Sequence, residues 1–192
     1  MSITQTVAPS AEPVTTTDQK TWMRVDTSDE DTLIGSLASA ARAYIEMATS
    51  RQCINATWVL KLTNFPAGDL VLPIFPLQSI TTIKYYDNND AQQTWSSALY
   101  DVDTAMQPGR VRPVSGQDYP SDVRGYTDDI EITFVAGHGS AASDVPDGLL
   151  TLVKLLASNW FENREANTPI ALTPVPMSIE SLIWQYRSGD LA

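Results

Sequence analysis

The apolar positions of the chain change their period twice, and each change marks a boundary between kinds of structure. In "SDEDTLIGSLASAARAYIEMATSR", Leu33, Ile34, Leu37, Ala40, Ala41, Tyr44, Ile45 and Ala48 recur at helical spacing and predict a helix over 28–50. Ser28 is placed to cap it, and Asp29, Glu30 and Asp31 occupy the first turn, where the helix dipole favours negative charge. Ala38, Ala40, Ala41 and Ala43 keep much of its surface small, so that another helix can approach closely. A short helix is predicted around 16–23, and residues 1–15, rich in Thr, Ser, Ala and Pro, predict a loose arm.

From Cys53 the period falls to two. "TWVLKLTNFP" sets Trp58, Leu60 and Leu62 against Thr57, Val59 and Lys61. "DLVLPIFPLQSITTIKYYDNNDAQQTW" predicts an edge segment interrupted by Pro73 and Pro76, then a strand, then a hairpin at Asp87 to Asp90. "SALYDVDTAMQPGRVRPV" adds a strand, a turn at Pro108-Gly109 and a short return. In "DDIEITFVAG", Ile130, Ile132 and Phe134 alternate with Glu131 and Thr133, which predicts the last strand.

The helical period then returns. Pro146 suits a first turn, and Asp144 is placed to cap the helix predicted over 146–164. "DGLLTLVKLLASNWFENREA" is apolar over far more than one stripe, so that helix must be covered on several sides. A Pro-rich connection over 168–177 leads to a final helix, with Ser178 as its cap, Ile179, Leu182, Ile183 and Tyr186 as its face, and Gly189 as its stop. The order predicts an α+β chain: a small α-helical core, made from the N-terminal helix and two C-terminal helices, with an inserted antiparallel β domain. The expected boundaries are a flexible arm over 1–15, a discontinuous helical core over 16–52 and 137–189, the β insertion over 53–136, and a tail over 190–192.

Composition narrows the function. The chain has 192 residues, 43% of them hydrophobic and 18% charged, which predicts a packed core rather than disorder. A net charge of -11, with only 12 scattered Lys and Arg, argues against a protein that grips nucleic-acid phosphates. Cys53 is the one cysteine, which leaves no intrachain disulfide and fits a reducing cytoplasm; its expected role is a small buried hydrophobe. "MSITQTVAPSAEP" has neither the basic nor the apolar region of a signal peptide, and no apolar run is long enough to span a membrane.

Candidate chemistry is thin. "VAGHG" at 135–139 holds the only histidine, His138, between two glycines. A phosphate loop needs more glycines at fixed spacing and a following Lys, and here Ser140, Ala141 and Ala142 follow. The glycines are better read as a sharp exit from a strand, with His138 exposed at a loop tip. No "GxSxG" occurs, and "VSGQD" at 114–118 lacks the first glycine. Asp101 with Asp103 and Asp128 with Asp129 sit beside turns, where Asp is favoured by backbone geometry. The run Asp87-Asn88-Asn89-Asp90 lacks the glycine and glutamate of a calcium loop and predicts a hairpin turn. "NWFENREA" at 159–166 reads equally as aromatic core with capping charges and as a partner contact, since aromatics and Arg are enriched at interfaces.

Taken in order, "EPVTTTDQKTWMRVD", "DEDTLIGSLASAARAYIEMATSR", "TWVLKLTNFPAGDLVLPIFPLQSITTIKYYD", "YDVDTAMQPGRVRP", "ITFVAGHG", "VPDGLLTLVKLLASNWFENREA" and "SIESLIWQYR" resemble the head–tail connector family of tailed bacteriophages, its adaptor or head-completion proteins. The resemblance runs from Glu12 to Arg187; His138 stands where an aromatic residue is expected. It implies a non-enzymatic virion protein without a cofactor. Such a protein forms a dodecameric ring below the portal, extends the DNA channel without binding DNA specifically, and offers a docking surface to a stopper or tail-completion protein. It implies a location in the virion neck after assembly in the host cytoplasm, and no membrane partner. The residues expected at subunit or portal contacts are Leu37, Ala41, Tyr44, Leu149, Val153, Trp160, Phe161, Arg164, Ile183, Trp184, Tyr186 and Arg187, with the final helix and the 168–177 connection reaching the portal. The rival reading is a small hydrolase or carbohydrate-binding module with a carboxylate site in the β block.

Overall fold

The structure is a computed structural model and describes residues 1–163 and 177–187. The chain is α+β, as its pattern predicts, and divides into two compact units: Met1–Ser10 with Asn55–His138, and Ala11–Ile54 with Gly139–Ala192.

The first unit is all β. Strands β1 (Ser2–Val7), β2 (Ala56–Leu62), β4 (Leu77–Tyr86), β5 (Gln92–Thr94) and β8 (Ile130–Ala136) form an antiparallel sheet of order β1-β2-β8-β4-β5. A smaller sheet has the order β3-β7-β6, from Leu70–Val71, Arg110–Pro113 and Tyr100–Asp103. Strand β8 is central because it alternates as expected: Ile130, Ile132, Phe134 and Ala136 are fully buried. They meet Leu60, Ile83, Leu70, Leu72 and Val111 in one core. Phe65, Trp95, Tyr100 and Tyr119 close it, with Phe65 and Tyr119 stacked at 5.0 Å. The Tyr119 hydroxyl accepts the Leu70 N–H at 3.2 Å and lies 3.0 Å from the Gly68 carbonyl, which ties a loop to the small sheet.

Within the expected loose arm lies strand β1, paired with β2 from Ser2↔Lys61 to Val7↔Thr57 with a shift of register at Thr6. Its polar, irregular composition hid it, because all six residues are exposed and the ladder to β2 holds the strand without apolar burial. The hairpin at Asp87 to Asp90 forms as predicted. The Asp87 carboxylate accepts the N–H groups of Asn89 and Ala91 and the Gln93 amide, all within 3.0 Å, so it serves the turn rather than a cation.

The second unit is helical: α1 (Thr16–Met23), α2 (Asp31–Thr49), α3 (Asp147–Glu162) and α4 (Met177–Tyr186). Helix α1 opens with a capping box in which Thr15 and Asp18 satisfy each other's backbone N–H groups. Ser28 does not cap α2; Glu30 stands at the cap position, its side chain making no capping bond to the helix N–H groups, and the Ser28 carbonyl accepts the Asp31 N–H. Nor does Asp144 cap α3, which starts after Pro146. Its carboxylate accepts the Ala141 N–H at 2.9 Å and caps a short 3-10 turn, Ala142–Asp144.

Helix α3 is the axis of this unit. From Gly148 to Phe161 no residue of it is exposed, because α1, α2 and α4 all pack on it. Leu149, Leu152, Val153, Leu156 and Ala157 meet Ala41, Ile45, Ile179 and Ile183. At Gly148 an added Cβ would fall 2.8 Å from Cζ of Tyr186, so the absent side chain is what lets the Tyr186 ring lie on α3. The cover that the breadth of this apolar surface demands comes in large part from the chain's own helices.

Candidate interaction surface

"VAGHG" is a turn built by packing. Gly137 has φ 144°, and a Cβ on it would sit 2.6 Å from the Asn55 backbone. A Cβ on Gly139 would strike the Asp144 carboxyl group. His138 is half-buried, not exposed at a tip, because the strand exit folds down at these glycines.

Several acids of the β unit are likewise occupied. The Arg124 guanidinium bonds Asp90 at 2.7 Å and both oxygens of Asp129, and lies 5.0 and 4.8 Å from the ring centres of Tyr86 and Tyr126. Asp129 is buried, and its bonds to Arg124 hold its carboxyl below the usual carboxylate range, against the opposing pull of burial. Asp103 accepts the Ala105 and Met106 N–H groups. A shallow depression contains Asp69 and Asp118, but it is open, and Arg110 lies 3.4 Å from Asp69. Among the described residues no cluster of His, Cys, Asp and Glu is arranged to hold a metal ion. No described helix is long and apolar enough to cross a membrane.

The distinctive surface is on the helical unit. The apolar positions of α2 do not form one face. They form two lines about 150° apart around the helix. Ile34, Ala38, Ala41, Ile45 and Thr49 point inward and are buried. Leu33, Ser36, Ala40, Ala43, Tyr44 and Met47 point outward at spacings of three, four and seven, and all are exposed. The outward line carries no charge over four turns. That is unusual for a solvated helix face, which is ordinarily charged. The charged side chains beside it are engaged with each other: Arg42 bonds Glu12 at 2.7 Å and Glu46 at 2.6 Å. Glu46 also accepts the Gln52 amide and the Cys53 N–H. Burial pushes the Glu46 carboxyl above its ordinary value, with the Cys53 N–H and Arg42 opposing. Burial likewise pushes the Cys53 thiol up to about 12, so it behaves as the inert core residue expected.

Helix α4 provides the second exposed feature. Trp184 is 68% exposed, and the Arg187 guanidinium lies 4.9 Å from the centre of its ring. The chain end of α4 is fixed against α2 by two arginines: Arg51 donates to the Tyr186 carbonyl at 2.7 Å, and Arg187 to the Ala48 carbonyl at 3.2 Å. Trp184 is therefore presented from an anchored helix.

The twelve expected contact residues fall into three groups. Ala41, Leu149, Val153 and Ile183 are core residues, filled by this chain's own helices, so they are not available to a neighbouring protein. Leu37, Trp160, Phe161 and Tyr186 are half-buried, and Tyr44, Trp184 and Arg187 are exposed, with Tyr44 set edge-on to Trp160 at 6.1 Å. Arg164, the 168–177 connection up to residue 176 and Gly189 lie outside the described residues, as does the Ser178 side chain. Leu33 and Met47 belong to the outward line and were missed; their spacing from Ala40 was the available signal.

No protein-family model matches the sequence, and no curated protein matches it. Solved structures do. A chain in the virion of a native gene transfer agent (GTA) particle is similar at TM-score 0.80 and 25% identity, covering 97% of this chain and 95% of that one. A chain in the neck of an empty GTA particle, computed with C6 symmetry, is similar at TM-score 0.80 and 26% identity with the same coverage. A third, in the neck of a native GTA particle computed with C12 symmetry, shares the fold at TM-score 0.73 and 24% identity. Over nearly its whole length, this chain has the fold of chains from the virion and neck of a phage-like particle.

Proposed function

We propose that this chain is a structural subunit of a virion neck: an adaptor that assembles as a ring below the portal, extends the DNA channel, and receives the stopper or tail-completion protein. The whole-length likeness to a chain in the neck of a GTA particle carries the reading. A likeness covering both units leaves no part of the chain over for a separate catalytic domain. The uncharged outward line of α2 supports self-association, because a face without charge gains by being covered. In this reading Leu37, Tyr44, Trp160 and Phe161 border the contact between copies, and Trp184 and Arg187 form the anchor for the portal. A ring of twelve, the stoichiometry the family resemblance implies, is compatible with the C6 symmetry of the similar neck. A net charge of -11 suits a channel that DNA must slide through, since a basic lining would hold its phosphates. Asp69, Asp90 and Asp129 are held by arginines and Asp103 by backbone N–H groups, which counts against the hydrolase reading.

Mixing the chain with purified portal tests this. A ring-sized complex is expected, weakened about tenfold by Trp184→Ala, as expected for an exposed aromatic anchor. Particles that assemble, fill and join tails normally without this chain would overturn the reading.

A further inference from the structure

The chain has 23 acids against 12 bases, and Lys20, Arg42, Lys61, Arg110 and Arg124 are each paired with one of its own carboxylates. Arg187 is held differently. Its Nε donates to the Ala48 carbonyl at 3.2 Å, and its guanidinium lies 4.9 Å from the centre of the Trp184 ring. Both of those groups are neutral, so they fix the plane of the cation without an opposing full charge. Its terminal nitrogens donate to no acceptor among the described residues. Arg187 and Trp184 are both exposed. A solvated arginine ordinarily moves among many rotamers, whereas this one is restrained at its Nε and across its face. The ordering that a partner would otherwise have to impose is already in place.

We infer that Trp184 and Arg187 together receive a carboxylate set beside an apolar side chain on the portal. This rests on the neck reading above and names the partner chemistry at that anchor. The two oxygens of a carboxylate match the outward N–H groups of a fixed guanidinium, with one bond to each terminal nitrogen. The exposed ring beside it gains from an apolar cover, and that cover removes water from the ion pair and strengthens it. Charge gives the contact its direction. A chain at -11 repels an acidic partner over most of its surface, so an acidic site is accepted where this cation stands. Lysine does not substitute here, because an ammonium group neither lies flat on a ring nor offers two parallel bonds.

The test is binding of purified portal by the full chain, measured by calorimetry. Arg187→Lys should weaken binding about tenfold although the charge is kept, and Arg187→Glu about a hundredfold. Arg51 still holds the Tyr186 carbonyl in both variants, so their circular dichroism should match that of the unsubstituted chain. Arg112→Glu makes the same change of charge at an exposed arginine of the β unit and should leave binding unchanged. On the other side of the contact, changing portal surface acids to Arg one at a time should yield one portal that again binds the Arg187→Glu chain. Failure of every such portal would overturn the pairing. So would Arg187→Lys and Arg187→Glu chains that bind normally while Trp184→Ala is weakened, an outcome that leaves the neck reading standing. Equal weakening by Arg112→Glu would trace the effect to net charge and overturn the site. An unsubstituted chain that does not bind portal overturns both readings.

Discussion

The β unit and the helical unit treat their large side chains differently. Phe75, Trp95, Tyr100 and Phe134 are buried in the β unit, whereas Trp22, Tyr44, Met47 and Trp184 are exposed on the helical one. Met1, Met106 and Tyr126 are exceptions in the β unit, Tyr126 exposed but packed under Arg124. The cause is geometric. Two sheets leave a wide space that rings fill, while the centre of the helical core, where helices approach at Ala41 and Ala157, holds small and aliphatic side chains and leaves Trp160 and Tyr186 at its margin. The excluded rings sit on the surface, where a partner can use them. A polar contrast runs in parallel. Asp129 is held ionised by Arg124, and Glu46 is pushed toward its neutral form by burial. One unit uses its buried carboxylate as a strong tie; the other carries a carboxylate at a cost.

Core deletions should break the contrast most. Phe134→Ala should destabilise the β unit by about 3–5 kcal/mol, read as faster amide exchange in β2, β4 and β8. Next, Arg42→Ala leaves Glu46 without its countercharge at 12% side-chain exposure. A loss of about 2–3 kcal/mol at neutral pH is expected, smaller than for a fully buried pair, and recovered in part as Glu46 takes up a proton in mild acid. Denaturant midpoints at two pH values check both parts.

Titration sharpens the comparison further. Asp129 binds its proton more weakly folded than unfolded, so its contribution is present above about pH 4 and is lost as pH falls through its lowered value. Glu46 has the opposite sign: its folded value lies above 4.5, so stability declines as pH rises from there through the raised value. Asp129→Asn should flatten the acid limb of the stability curve, and Glu46→Gln the limb above it. The smallest effect on the monomer belongs to the exposed line. Met47→Asp should change stability by no more than about 0.5 kcal/mol while ring assembly is lost, a split that sedimentation and thermal melting resolve.

Much of each element was legible. The alternation through Ile130, Ile132 and Phe134 identified β8, and the helical recurrence of Leu149, Leu152, Val153 and Leu156 identified α3. Strand β1 was not legible, because no side chain of it is buried and its stability comes from a ladder to residues far along the chain, from Ser2↔Lys61 to Val7↔Thr57. The caps at Ser28 and Asp144 were misassigned for a related reason: each is a good turn residue, and the backbone chose a neighbouring turn. Of the proposed contact residues, Tyr44 and Trp184 are exposed, whereas Ala41, Leu149, Val153 and Ile183 lie in the core, because a sequence shows that a residue is apolar and not what covers it.

The sequence by itself determined which stretches are helix or strand and most of the residues that face inward, because periodicity is a local property set by 3.6 or 2 residues per repeat. It also set the acidic charge and the lone cysteine. Only the tertiary structure decided which helix buries α3 and which line of α2 remains outside. Those outcomes depend on contacts between residues far apart in the chain, and burial is decided by the partner as much as by the residue.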